Sequence, residues 1–286
     1  MPSSHETAVF PTDIWLYMID YLAPPDVIAL SQVSRELHGT LSVRSVWVTI
    51  FRSMCDDHGL FQPSYQVDNM SLAELQHAAL GPDRWYKRVE KHHFNYDSDG
   101  NPGKLDPFST TALPLLSDPG IPCRFCLVPG GRYLLSVKNN LDLWDLGPAN
   151  RPPHAPGPLN VASVLVTHEM GLWNLAVSAI EPDKLRVAAL FTEGPLVKVR
   201  VKVFDIRPTD PTPSFLEVGT IAIRTMYPFY RLQPLIGTGN RIYVRLNKGS
   251  GVIWDLKTKQ YVLAPISGVE ADGAQVSSVS GSNGYH

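Results

Sequence analysis

The chain has 286 residues, of which 44% are hydrophobic and 18% charged, and its formal net charge is -2. This length allows one large domain or two smaller ones. The small net charge gives no reason to expect nucleic acid or an anionic membrane surface as a partner, and three cysteines are too few for a disulfide framework.

The first ten residues, MPSSHETAVF, lack the basic region and the long apolar run of a secretory signal. No segment approaches the ~18 unbroken apolar residues that a membrane span needs. We therefore expect a cytoplasmic or nuclear protein without a membrane partner.

The N-terminal part of the chain has the apolar spacing of short helices. We expect Thr12 to cap the first helix and Pro24-Pro25 to end it. Asp26 is then expected to cap a second helix that continues to Gly39. A helix that is apolar nearly all round, as the first one is, must be covered on nearly all sides.

Two further helical segments follow in the sequence. One runs from Val43 to Phe51 and contains Trp47. The other runs from Ser71 to His93, with a break at Gly81-Pro82.

From about residue 96 the pattern changes from helices to strands. DSDGNPGKLDPFS is a turn-rich linker, and LVKVRVKVFDI alternates valines with basic residues, as a half-buried strand does. The closing segment SGVEADGAQVSSVSGSNGYH is small and polar, so we expect it to be disordered.

The strand region contains a unit that occurs three times. Each unit has the pattern strand, turn, strand, and the second strand ends in an aromatic-Asp pair. The units are RYLL with LWDL, RVAA with VFDI, and RIYV with IWDL. Their aspartates, Asp145, Asp205 and Asp255, lie 60 and 50 residues apart. WD-repeat blades run about 40–45 residues, so we interpret these units as long, degenerate blades of a β-propeller-like region.

Residues 10 to 51 resemble an F-box, the adaptor-binding module of SCF-type ubiquitin ligases. The family pattern is Leu-Pro-x-Glu-Ile, an apolar helix to Tyr-Leu, then Pro-x-Asp-Leu, an apolar helix to Val-Cys-Arg, and a later Leu-Trp. The matching segments are Phe10-Pro11-Thr12-Asp13-Ile14, Tyr21-Leu22, Pro25-Asp26-Val27, Val33-Ser34-Arg35 and Val46-Trp47. With the repeats that follow, the chain is similar to fungal F-box proteins whose C-terminal region is β-propeller-like.

This resemblance implies a partner and a mechanism. The helical module would dock on a Skp-family adaptor, which connects to a cullin, and the β region would hold a substrate protein. The chain would perform no covalent chemistry and need no cofactor or metal. Eight residues are expected to be adaptor contacts or their direct supports: Pro11, Ile14, Leu22, Pro25, Val27, Leu30, Val33 and Trp47. Helical spacing alone leaves open whether each belongs instead to the module's own core.

Two patterns could hold a metal ion, and both are weak. Cys123-x-x-Cys126 is half a zinc site, but the nearest candidate ligands are His92-His93, and adjacent histidines seldom point at one metal. The calcium-like start at residues 97–101 lacks the required Gly and Glu at the later loop positions. We therefore predict no metal site. No common catalytic motif is present either, and we predict no enzymatic activity.

One basic row is a weak candidate for substrate binding. Lys198, Arg200 and Lys202 alternate with valines and could bind a phosphorylated substrate segment through charge-assisted hydrogen bonds. The simpler interpretation is that this row is the solvated side of a strand.

Taken together, these patterns predict an α+β protein in two parts. The expected divisions are an F-box at 8–55, a helical segment and linker at 56–109, a partial propeller-like domain at 110–265 and a disordered tail at 266–286. The expected function is substrate recognition in an SCF-type ubiquitin ligase. The alternative is a propeller-like interaction scaffold that acts outside any ligase and whose helices pack on its own β-domain.

Overall fold

The computed structural model describes residues 11–93, 124–137, 140–148, 158–166, 170–193, 198–224, 233–237, 240–245 and 250–265. The chain divides into two compact units. The helical unit comprises Met1–His58 and Gln66–Ala112, and the β unit comprises Gly59–Tyr65 and Leu113–His286. The predicted turn-rich linker, the calcium-like segment, Cys123 and the C-terminal tail lie outside the described residues.

The helical unit contains six α-helices and one short 3-10 turn within its described residues. The helices are α1 (Thr12–Ile19), α2 (Pro24–Ser31), α3 (Arg35–Leu41), α4 (Arg44–Asp57), α5 (Leu72–Ala79) and α6 (Gly81–His93). The 3-10 turn of this unit lies at Val67–Asn69, and a second one, at Gln62–Ser64, belongs to the β unit.

The beginnings of the first two helices differ from the prediction. Pro11, not Thr12, occupies the N-cap of α1, and no side chain caps that end. Pro24 and Pro25 are the first two residues of α2, and Ala23 is its N-cap. Proline fits the first turn of a helix because the N–H that it lacks would have no partner there. The two prolines therefore begin a helix, and Asp26 lies in its first turn.

The predicted long second helix is two helices. Between them, Ser34 adopts an extended conformation, and its hydroxyl accepts a hydrogen bond from the backbone N–H of Leu37. This capping interaction starts α3, so Gly39 lies inside a helix and does not terminate one. By contrast, the predicted break at Gly81-Pro82 is confirmed, since α5 ends at Ala79 and α6 begins at Gly81.

The core of the helical unit forms around Trp47. Its side chain is fully buried, and its indole N–H donates to the backbone carbonyl of Leu41 at 2.7 Å. Val27, Phe51 and Leu75 are also fully buried, so α2, α4 and α5 all contribute to this core.

The described strands of the β unit form three four-stranded antiparallel sheets. Sheet 1 contains β1 (Arg124–Leu127), β2 (Tyr133–Val137), β3 (Asn140–Asp145) and β4 (Leu159–Leu165). Sheet 2 contains β5 (Met170–Glu181), β6 (Lys184–Glu193), β7 (Lys198–Ile206) and β8 (Leu216–Arg224). Sheet 3 contains β9 (Gln233–Ile236), β10 (Arg241–Arg245), β11 (Ser250–Asp255) and β12 (Tyr261–Pro265). In each sheet the strands neighbour one another in sequence order.

Two apolar cores hold these sheets together. The first joins sheets 1 and 2 and includes Leu135, Leu143, Val187 and Phe204. The second joins sheets 2 and 3. Sheet 2 is therefore buried on both faces, and neither core joins sheets 1 and 3. The prediction of helices followed by a β-rich region is confirmed, and the described strands do not close into a ring.

A short segment between α4 and α5 belongs to the β unit and not to the helical part in which its sequence lies. Phe61 is buried in the first core, and its backbone N–H donates to the carbonyl of Pro129 at 2.9 Å. The Arg132 guanidinium donates to the carbonyl of Pro63 at 2.9 Å. Gly130 has a φ of +106°, and a side chain there would meet Ser64. Helical periodicity contains no signal for this insertion.

Candidate functional site

Helix α1 is an apolar helix that is poorly buried. The only buried side chain among its eight residues is Ile19. Tyr17 is 62% exposed, Ile14 is 41% exposed, and Leu16 and Met18 are each 40% exposed. Tyr21, just after the helix, is 73% exposed. A contiguous apolar surface of this kind is the usual mark of an interaction site.

The two tyrosines of this surface form a local pair. Their rings lie edge to face with centroids 5.3 Å apart, and their hydroxyls are 2.9 Å apart. The hydrogen bond with Tyr17 raises the pKa of Tyr21 above its ordinary value. Pairing the rings holds both side chains in one orientation and reduces the conformational entropy that a binding partner would have to remove.

Two clefts lie beside α1 in the same unit. One, of about 350 Å³, separates α1 from α4 and includes Leu16, Tyr17 and Ile50 in its lining. The other, of about 330 Å³, lies at the end of α1 and has Met54 in its lining. Apolar side chains line parts of both clefts, so the exposed surface of α1 continues into concave sites that a partner's side chains could fill.

The eight residues carried over from the F-box resemblance fall into three groups. Pro11, Ile14 and Val33 are exposed. Leu22, Pro25 and Leu30 are half-buried. Val27 and Trp47 are fully buried in the core of the helical unit. The last two fit the role of structural support that helical spacing left open, and the role of the other six as adaptor contacts stays a prediction.

The basic row of β7 does not lie on a solvated side of the sheet, contrary to the simpler interpretation. Arg200 and Lys202 are half-buried, because both faces of sheet 2 are packed against neighbouring sheets. The Lys202 ammonium lies 3.8 Å from the Glu217 carboxylate. The side chain of Lys198 lies outside the described part. Because Arg200 and Lys202 are half-buried, the structure gives no support for a phosphate-binding role of this row.

Sequence reasoning missed an ion pair that recurs with the repeats. The Arg132 guanidinium contacts the Asp145 carboxylate at 2.7 and 2.9 Å, and this hydrogen bond raises the pKa of Arg132. The Arg186 guanidinium likewise donates two hydrogen bonds to the Asp205 carboxylate, at 2.7 and 2.9 Å. In sheet 3, Arg241 lies directly opposite Asp255. The signal was present, since each unit has an arginine at the start of one strand and an aspartate at the end of the next.

No metal or membrane site emerges from the described residues. Among them, no three His, Cys, Asp or Glu side chains are grouped where they could share a metal ion. Cys126 packs against the first core, and burial raises the pKa of its thiol. Of the helices that the structure describes, none is long and apolar enough to cross a membrane.

Comparison with known proteins gives matches among solved structures alone. No protein-family model matches the chain, and no curated protein sequence matches it. Among solved structures, the chain is similar to the β-propeller domain of Nup133 from Vanderwaltozyma polyspora, with 14% identity and a TM-score of 0.32. The similarity covers 60% of this chain and 56% of that structure.

Proposed function

We propose that this protein is a substrate-recognition subunit of an SCF-type ubiquitin ligase. The helical unit docks on a Skp-family adaptor that connects to a cullin, and the β unit binds a substrate protein. The chain supplies no catalytic group, because its role is to hold substrate near the ubiquitin-charged enzyme of the complex.

The observation that carries this proposal is the exposed apolar surface of α1. The helical unit already has a core of its own around Trp47, yet Ile14, Tyr17 and Tyr21 remain exposed. Such side chains gain free energy when a partner covers them, at roughly 25 cal/mol per Å² of apolar area removed from water. The surface lies within the segment that resembles an F-box, which supports the choice of a Skp-family adaptor as the partner.

The alternative is a propeller-like interaction scaffold that acts outside a ubiquitin ligase. It accounts for the repeated sheets equally well. It assigns the apolar surface of α1 to packing within the chain and gives no role to the resemblance of residues 10–51 to an F-box, and that resemblance favours the ligase proposal.

A binding experiment with purified Skp-family adaptor tests the proposal. We expect the full chain to retain adaptor, and we expect Ile14→Asp and Val33→Asp to weaken binding by at least about tenfold, because each places an unpaired charge in an apolar contact. Both positions are exposed, so the folded chain tolerates the change. Trp47→Ala is a poor test, because it removes a fully buried side chain from the core.

Val89→Asp is the matched control. Val89 lies on α6 and is 37% exposed, close to the 41% of Ile14. This variant should bind adaptor as the unmodified chain does. Failure of the unmodified chain to bind adaptor would favour the scaffold alternative, and equal weakening by all three variants would remove α1 as the docking surface.

A further inference from the structure

The three sheets of the β unit stack in series and leave two outer sheet faces. The first end face is the side of sheet 1 that carries Phe125, Leu127 and Trp144. The last end face is the side of sheet 3 that carries Leu235, Ile253 and Val262. Neither face contributes to the two cores that join the sheets.

The last end face is an apolar row that crosses all four strands of its sheet. Leu235 lies opposite Tyr243 on the neighbouring strand, Tyr243 lies opposite Ile253, and Ile253 lies opposite Val262. Leu235 is 55% exposed and Val262 is 63% exposed. An ordinary solvated sheet face alternates polar residues outward, so this row is unusual for a face in contact with water.

The first end face is apolar along its edge strand β1 and at Trp144, and it also carries Ser136 and Asp142. Phe125 and Leu127 are 42% and 54% exposed, and they flank Cys126, which packs toward the first core. Trp144 follows Leu143 on β3, and because side chains alternate along a strand, it lies on the opposite side from the core residues Leu141 and Leu143. Its indole N–H donates to the Ser136 hydroxyl at 3.0 Å, and the ring is half-buried.

The repeats show what this tryptophan position does elsewhere. In sheet 2 the equivalent Phe204 packs into the core shared with sheet 1. In sheet 3 the equivalent Trp254 packs into the core shared with sheet 2, where Gly219 leaves room for its ring. In both cases the aromatic side chain contacts the sheet that precedes it in the chain. Trp144 has the same orientation, and no described sheet precedes sheet 1.

We propose that a second copy of this chain covers these faces, with the first end face of one copy packed on the last end face of the other. The contact repeats the sheet-on-sheet packing already present twice within the chain. Charge favours the same pairing, because Asp142 lies on the first end face beside Trp144 and the exposed Arg245 lies on the last. The two faces are different, so the interface is heterologous and can close into a ring.

Two copies would close that ring with six sheets, which falls within the range of about four to eight blades found in β-propellers. This pairing is independent of adaptor binding, since it uses the β unit alone. A chain that fails to bind adaptor can therefore still be tested for dimerisation, and a chain that fails to dimerise can still be tested for adaptor binding.

Sedimentation of the full chain over two decades of concentration tests the pairing. We expect a species of twice the 31.6 kDa of one chain. Leu127→Asp on the first end face and Val262→Asp on the last should each weaken dimerisation about a hundredfold, since each buries an unpaired carboxylate. Leu216→Asp is the control, because Leu216 is 66% exposed on an edge strand of sheet 2 and lies on neither end face.

Mixing the two monomeric variants gives the decisive result. One copy then keeps an intact first end face and the other an intact last end face, so one correct interface forms and dimer reappears. Phe125→Asp and Leu235→Asp repeat the experiment at second positions, with circular dichroism as the check on folding. A chain that stays monomeric, a mixture that yields no dimer, or a mass that grows past two chains would each overturn the closed head-to-tail pair.

Discussion

The buried ion pair of sheet 2 gives the sharpest stability prediction. Both oxygens of Asp205 accept hydrogen bonds from Arg186, and the Lys184 ammonium lies 3.3 Å from the same carboxylate. The side chains of Arg186 and Asp205 are only 6% and 5% exposed. Asp205→Asn keeps the shape of this side chain but removes the negative charge that balances a buried guanidinium.

The size of the effect follows from that burial. Removing one partner of a buried ion pair costs about 3–5 kcal/mol, because the other charge is left uncompensated. With a urea dependence of about 2 kcal/mol per molar, the unfolding midpoint of the β unit should fall by about 1.5–2.5 M. Replacing both partners, as in Arg186→Met with Asp205→Leu, should restore most of the loss, since no buried charge remains.

The assay is urea unfolding followed by far-ultraviolet circular dichroism, with Asp255→Asn as the matched control. Asp255 is the equivalent aspartate of sheet 3, and Arg241 opposite it is exposed, so the loss there should be much smaller. Equal midpoints for Asp205→Asn and Asp255→Asn would refute the reasoning that burial gives the sheet 2 pair its importance.

Three further predictions concern packing, capping and pH. Gly219→Ala should destabilise the β unit by about 1–3 kcal/mol, since an added Cβ would lie 2.8 Å from the ring of Trp254; an unchanged urea midpoint would contradict the packing of sheets 2 and 3. Ser71→Ala should cost the helical unit about 1 kcal/mol by removing the capping box formed with Glu74, and a thermal scan without any shift would be inconsistent with that cap. Burial raises the pKa of the Cys55 thiol from 9.0 to about 12, so the folded state keeps a proton that the unfolded state loses, and stability should fall as pH rises between these values. Cys55→Ala should reduce that slope in urea titrations at rising pH, whereas an identical slope would assign the effect to other groups.

The sequence predicted those strands, hairpins and helix ends that are determined by residues close together in the chain. The alternating valines of LVKVRVKVFDI identified β7, and three strand-turn-strand units correspond to the hairpins of β2 with β3, β6 with β7 and β10 with β11. The break before Gly81 also followed from the sequence. In each case the signal lies within a few neighbouring residues.

The helix boundaries at Pro24-Pro25 and Ser34 were predicted wrongly because proline and serine each occur in more than one structural position. Proline both ends and begins helices, so Pro24-Pro25 marked a boundary without showing which helix it belonged to. The predicted second helix includes Ser34, although a serine in extended conformation is a common N-cap and starts α3 here.

The solvated interpretation of the basic row in β7 failed for a tertiary reason. Alternation distinguishes two faces of a strand but does not show that another sheet covers the polar one, as happens around Lys202. The same limit applies to the candidate site, where spacing could not separate the buried Val27 from the exposed Ile14. Only packing distinguishes the two.

The segment at Gly59–Tyr65 makes the chain run from the helical unit into the β unit, back again, and then into the β unit once more. No single cut in the sequence can therefore release an intact half. A fragment that starts at the first strand would lack the Phe61 ring and would leave Arg132 without the Pro63 carbonyl. During synthesis, Phe61 precedes its ring partner Tyr133 by 72 residues (133 − 61), so the Phe61 ring cannot be buried until these later residues have been made.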